Sequence, residues 1–91
     1  MSKKPIYFDD VFVRHYQERV LKDKKLHELY KQVLALFIQN PNTKSLHNHE
    51  LKGKMSTKRS FVVDTDCRVI YLEEENGYLF LDIGTHEEVY S

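Results

Sequence analysis

The clearest signal along the chain is helical. Leu26, Leu29, Tyr30, Val33, Leu36 and Phe37 recur at helical spacing, with Lys24, Lys25, Glu28, Lys31 and Gln32 mostly on the other side. That pattern predicts an amphipathic helix with one buried stripe. Asp23 can cap its start, and Asn40–Pro41 stops it, because a residue before proline is pushed out of the helical region. A second stripe, Phe8, Phe12, Tyr16 and Val20, repeats every four residues and predicts an earlier helix capped by Asp9 or Asp10. Ahead of it, Ile6–Tyr7–Phe8 is a short β-prone run, read as a first strand. These stripes are core positions and carry no chemistry.

The last third of the chain is β. Arg59 to Asp64 reads as a strand, Asp64–Thr65–Asp66 as a turn, and Cys67 to Glu73 as a second strand centred on Val69–Ile70–Tyr71–Leu72. Asn76–Gly77 predicts a hairpin turn, since both positions tolerate positive φ. Tyr78 to Ile83 is then a third strand, broken by Gly84, and His86 to Tyr90 a short tail. Between the two halves, residues 41–57 are polar and irregular, with Pro41, Asn42, Thr43, His47, Asn48, His49, Gly53 and Ser56. Connections of that length in a small domain are often functional. The order predicts an α+β fold, with an N-terminal strand and helical hairpin packed on an antiparallel sheet. The helices cover one face and leave the other free to bind. No repeat, low-complexity tract or linker divides the chain, so residues 1–91 are read as one domain.

Composition narrows the classes. The chain is 41% apolar and 31% charged, as a globular domain is. No stretch approaches the roughly 18 apolar residues of a membrane span. Met1 to Pro5 has lysines but no apolar run behind them, so it does not read as a signal peptide, and a cytoplasmic location is expected. Cys67 is the only cysteine, which excludes an intrachain disulfide and a Cys-rich zinc site. Lying between Asp66 and Arg68 at the start of an apolar run, it reads as a strand residue rather than a nucleophile. Net charge is zero but uneven. Residues 1–60 hold 13 Lys and Arg against 6 Asp and Glu (+7), and residues 61–91 hold 1 against 8 (−7). A basic front half could track phosphates, although lysines also decorate ordinary helix faces.

Three segments carry more. They are Asn48–His49–Glu50–Leu51–Lys52–Gly53; Arg59–Ser60 followed by Asp66–Cys67–Arg68–Val69–Ile70–Tyr71; and Ile83–Gly84–Thr85–His86–Glu87–Glu88–Val89–Tyr90. Together they resemble the N-H-x-L-x-G, R-S, D-x-R-x-I-Y and I-G-T-H-x-x-(L/V)-Y pattern of YafQ-like toxins in the RelE superfamily. With the two helices the resemblance covers essentially the whole chain. It implies a RelE-like microbial RNase fold, a metal-independent mRNA endoribonuclease acting in the ribosomal A site, and a cognate antitoxin. Operator DNA would be bound only through the antitoxin complex, and no cofactor or membrane partner is implied. By the same resemblance His49, Asp66, Arg68, His86 and Tyr90 are the expected site residues; Lys52 and Arg59 are second-rank candidates for contacts to the RNA backbone. Two positions depart from the family pattern: Val62 stands where a further histidine is expected, and Ser60 where an aspartate is.

Metal-free RNA cleavage needs a base for the 2′-hydroxyl, stabilisation of the crowded phosphorane and an acid for the departing 5′-oxygen. Histidine suits either proton-transfer role, with an ordinary pKa of about 6.5. The reading assigns His49 as base, His86 as acid, Asp66 as an orienting group or substitute base, Arg68 as phosphate clamp and Tyr90 as a nucleotide contact; acid and base are interchangeable at this stage. Each has a plainer reading: a solvated loop histidine, a strand-end cap, a turn aspartate, a sheet-face arginine, a packed tyrosine. His15, His27 and His47 read as surface histidines. His47, His49 and His86 match no standard zinc spacing. The competing functions are a non-catalytic ParE-like gyrase inhibitor and an inactive antitoxin-binding remnant.

Overall fold

A computed structural model describes residues 4–53 and 57–90. Ser56 of the polar connection and the residues ahead of Lys4 lie outside that range. The elements are β1 (Ile6–Phe8), α1 (Asp10–Arg19), α2 (Lys24–Gln39), β2 (His49–Glu50), β3 (Arg59–Asp64), β4 (Cys67–Glu74), β5 (Gly77–Gly84) and α3 (His86–Tyr90). The five strands form one sheet in the order β1-β5-β4-β3-β2. It is antiparallel from β2 to β5, and β1 joins the edge parallel to β5.

Both long helices start at the expected caps. Asp9 accepts from the Val11 amide at 2.9 Å and Asp23 from the Leu26 amide at 3.1 Å, satisfying donors that a helix start leaves free. The backbone of Asn40 leaves the helical region before Pro41, as the proline requires. The helices then bury their stripes on one face of the sheet. Phe12, Val20, Tyr30 and Phe37 join Phe61, Val63, Cys67, Val69, Tyr71, Phe80 and Ile83 in the main core. Aromatic rings dominate it. Phe37 stacks on Phe61 at 4.7 Å between centroids and meets Tyr71 edge-on at 5.2 Å.

Three expectations need correction. The polar connection is not structureless: a 3-10 turn at Lys44–Leu46 buries Leu46, and β2 pairs with β3 through His49–Ser60 and Glu50–Arg59. The tail is the helix α3, started by a reciprocal cap. The Glu88 amide donates to Thr85 Oγ1 at 3.2 Å, and the Thr85 amide donates to Glu88 Oε1 at 2.8 Å. Finally, the β4–β5 hairpin pairs Glu74 with Gly77, so its turn residues are Glu75 and Asn76. Among the described residues only His47 and Gly53 have positive φ, so Gly77 is needed for another reason. A Cβ there would lie 2.6 Å from the Pro5 carbonyl oxygen, where the chain enters β1.

Strand alternation places Val69 and Tyr71 under the helices and turns Arg68 and Ile70 to the opposite face. There Ile70 forms a small second core with Leu51 and Val89, flanked by Leu81 and Tyr90. That cluster ties α3 and the segment after β2 to the same patch of sheet.

Phe37 is fully buried and stacked against β3 and β4. Phe37→Ala should lower unfolding free energy by about 3–5 kcal/mol, a large share of what a small domain has. Urea denaturation of the variant and parent measures it; a loss under about 1 kcal/mol would mean the helix does not key into the sheet there.

Candidate active site

The uncovered face carries a cleft of about 340 Å³ lined by His49, Glu50, Leu51, Lys52, Arg68, His86 and Tyr90. Three separate pieces of chain build it. β2 and the residues after it contribute His49, Glu50, Leu51 and Lys52; β4 contributes Arg68; α3 contributes His86 and Tyr90. The apolar cluster of Leu51, Ile70 and Val89 lies beneath and fixes these pieces to one another.

Each wall has a local cause. His47 sits in the left-handed region at φ 49, a conformation that costs a non-glycine residue energy. Its carbonyl oxygen lies 2.9 Å from Nδ1 of His49. A carbonyl only accepts, so Nδ1 must carry the proton, and in the neutral ring the lone pair is on Nε2. His86 occupies the first residue of α3, positioned by the Thr85–Glu88 cap. The Tyr90 ring stands against it at 4.5 Å between centroids and 62° between planes. Glu88 is also held from α1: Arg19 Nε lies 3.5 Å from Glu88 Oε2, and Arg19 donates to the Ile83 carbonyl at 2.9 Å. Gly84 makes room for that contact, since a Cβ there would meet both Glu88 and Arg19 inside 3 Å (2.6 and 2.7 Å).

Arg68 and Lys52 bring positive charge to the cleft, Arg68 from the floor of the sheet. The Arg68 Nε is buried without a hydrogen-bond partner among the described residues. A buried guanidinium nitrogen left unpaired is costly.

The structure does not bring every expected residue here. Asp66 would share the face of Arg68 if the strand ran through it, but β4 begins at Cys67 and the turn diverts Asp66 away. It is exposed, and lines a separate depression with Asp64 and Thr65 against the start of α2. Arg59 shares the helix-side face with Phe61 and Val63; it donates to Asn48 Oδ1 at 2.9 Å and pairs with Glu50 at 3.4 Å instead of lining the cleft. With Val62 and Ser60 on that side of the strand, β3 brings no titratable group to the cleft. Glu50 and Leu51 line the cleft and were not singled out from sequence, although both fall inside the His49–Gly53 motif.

The other histidines divide. His15 is not a plain surface residue: its Nδ1 lies 2.6 Å from Asp82 Oδ1, and its side chain is only 19% exposed. His27 packs edge-on against Tyr16 at 5.7 Å, while the side chain of His47 is exposed. Among the described residues no group of three or more His, Cys, Asp or Glu is placed to hold a metal ion.

Comparison with known proteins supplies the rest. The sequence profile of the family described as "Bacterial toxin of type II toxin-antitoxin system, YafQ" matches residues 4–91. The chain belongs to that family. It is therefore a toxin of the type II toxin–antitoxin class. No curated protein matches it significantly in sequence. Among solved structures, YafQ from E. coli superposes with a TM-score of 0.82 at 21% identity, covering 98% of this chain and 100% of that one. YafQ in the E. coli DinJ–YafQ toxin–antitoxin complex gives 0.75 at 20% identity, covering 99% and 100%. YoeB–YefM from Staphylococcus aureus gives 0.73 at 16%, covering 93% and 99%. At these identities the superpositions show that the RelE-like toxin fold is shared.

Cys67 stays outside the chemistry of this YafQ-family fold. It is buried under α2, and burial, aided by the Asp64, Glu88 and Asp66 carboxylates, pushes its thiol from 9.0 up to about 12. The folded thiol keeps its proton where the unfolded one loses it, so its contribution to stability is lost as pH rises from about 9 toward about 12. At about pH 8.5, where a free thiol is half ionised, folded protein should resist an alkylating reagent that labels the denatured chain fully. Equal labelling of both forms, read by mass spectrometry, would contradict the buried assignment.

Proposed function

We propose that the chain is an mRNA endoribonuclease that acts on translating ribosomes, cutting by 2′-hydroxyl attack in the cleft of His49, Arg68 and His86. The observation that carries the reading is that two imidazoles and the Arg68 side chain line one concavity. His49 is assigned as base because its Nδ1 proton is committed to the His47 carbonyl, which leaves the Nε2 lone pair for substrate. It takes the proton of the 2′-hydroxyl as that oxygen attacks phosphorus. Arg68 holds the non-bridging oxygens as charge builds on them. His86 gives its proton to the departing 5′-oxygen. The products are a 2′,3′-cyclic phosphate and a 5′-hydroxyl. Tyr90 offers its ring to a base or holds His86, and Lys52 meets the backbone nearby. Asp66, outside the cleft, has at most an orienting role in RNA binding.

Ribosome dependence follows from how little the cleft holds. The assigned pair of histidines and the Arg68 clamp, with Glu50, Lys52 and Tyr90 beside them, leave orientation of the message to another body, and orientation is worth several kcal/mol. Primer extension on a reporter mRNA, with and without ribosomes, tests the proposal. Wild-type protein should cut efficiently only with ribosomes, and His49→Ala or His86→Ala should slow cutting by about 10²- to 10⁴-fold. If both variants remain as toxic as the parent when expressed, the nuclease reading fails and gyrase inhibition becomes the reading to pursue.

The proposed partner is an antitoxin, by analogy with the DinJ–YafQ and YoeB–YefM complexes. Phe8 and Val13 stay partly exposed and line an apolar groove with Phe12, Tyr16, Tyr30 and Leu34, suited to a covering helix. The pair would bind operator DNA through the antitoxin. Expressed from a two-gene unit with a neighbouring candidate antitoxin gene, the chain should co-purify with that gene's product in a defined ratio; elution of the toxin alone would count against the pairing.

A further inference from the structure

The residue before His49 is tied down more fully than any group in the cleft itself. Asn48 Nδ2 donates to the Pro41 carbonyl at 2.9 Å and to the Tyr71 hydroxyl at 2.6 Å, and Oδ1 accepts from Arg59 Nε at 2.9 Å. The partners leave one orientation of the amide: Arg59 Nε only donates and the Pro41 carbonyl only accepts. Both amide hydrogens and the amide oxygen are therefore used. One anchor is the loop after α2, one is the aromatic core and one is β3.

Asn48 does not line the cleft. Its backbone nitrogen, however, belongs to the same rigid peptide plane as the His47 carbonyl. That carbonyl is the acceptor that holds the proton of His49 on Nδ1. His47 reaches it only through a left-handed backbone, a conformation that persists when its surroundings hold it. An imidazole free in water favours the opposite tautomer, with its proton on Nε2. Without the carbonyl, His49 would present a donor to the 2′-hydroxyl where a base is needed.

We infer that Asn48 is a positioning residue: by clamping the His47–Asn48 peptide plane it selects the His49 tautomer with Nε2 unprotonated, and Arg59 and Tyr71 act through it. The inference rests on the nuclease reading for its consequence in catalysis, but not for the tautomer itself. It gives Arg59 a part in the site different from an RNA contact.

The free folded protein supplies the first test. In 15N-labelled wild-type protein at a pH where His49 is neutral, long-range 1H–15N spectra should show His49 Nδ1 as the protonated nitrogen and Nε2 as the bare one. Asn48→Ala should move both shifts toward the values of a solvated imidazole. Tyr71→Phe, which keeps the core ring and removes one acceptor, should move them part-way. Arg59→Lys, which can still donate to Oδ1, should keep them closer to wild type than Arg59→Met does. In ribosome-dependent cleavage the Asn48→Ala kcat should fall by about tenfold or more with KM changed less than about twofold. If Asn48→Ala does not fold, the Tyr71→Phe and Arg59 variants decide on the same spectra. Unmoved His49 shifts in folded variants would overturn the positioning role even with an active nuclease. Moved shifts in a protein that never cuts RNA would leave the tautomer control standing and remove the nuclease.

Discussion

The hydroxyl of Tyr71 leaves an aromatic core and meets the amide of Asn48 at 2.6 Å. The ring below it is 1% exposed and packed among Phe37, Phe61, Tyr78 and Phe80. Burial pushes its pKa upward, opposed by hydrogen bonds with Asn48 and Arg59, so the hydroxyl stays neutral in its bond with the amide. A buried hydroxyl must find a partner, and this one finds it on the segment that carries His49. The loop after α2 is thereby referenced to the most rigid part of the molecule. The backbone that leads into His49 is held by that contact and its two companions at Asn48.

β4 joins the two faces. Cys67, Val69 and Tyr71 pack under the helices, while Arg68 lines the cleft and Ile70 lies in the apolar cluster beneath it. One strand thus supplies the core with its central tyrosine and the site with its arginine. The period of two makes these tasks compatible, since alternate residues answer to different surroundings. Val62, beside Arg68 across the ladder, adds no polar group there, and Arg68 Nε has no partner among the described residues.

The sequence was legible where one period ran long enough to be counted. Both long helices, their aspartate caps and the strands β3 to β5 follow from spacing and turn residues, and the bounds of β3 are the expected ones. The short elements were hidden for a physical reason. Two residues of β2 and five of α3 are too few to express a period. For α3 the usable signal was Thr85 followed three residues later by Glu88, a capping box. Long-range polar pairs were equally invisible. Nothing local says that His15 will meet Asp82 across α1 and β5, or that Arg59 will turn from solvent to Asn48. Family motifs named His49, Arg68, His86 and Tyr90, and all four line the cleft; they also named Asp66, which the β3–β4 turn carries elsewhere.

The single turn of α3 has a thermodynamic consequence. Helices of about this length have almost no stability of their own and stay formed only while docked. Here docking rests on Val89, the Arg19–Glu88 pair and the reciprocal cap at Thr85. Such a segment can detach at a free energy below that of global unfolding. Each detachment carries off one imidazole and the Tyr90 ring while leaving the sheet intact. The stability of a complete cleft is then that of this short segment and not of the domain beneath it.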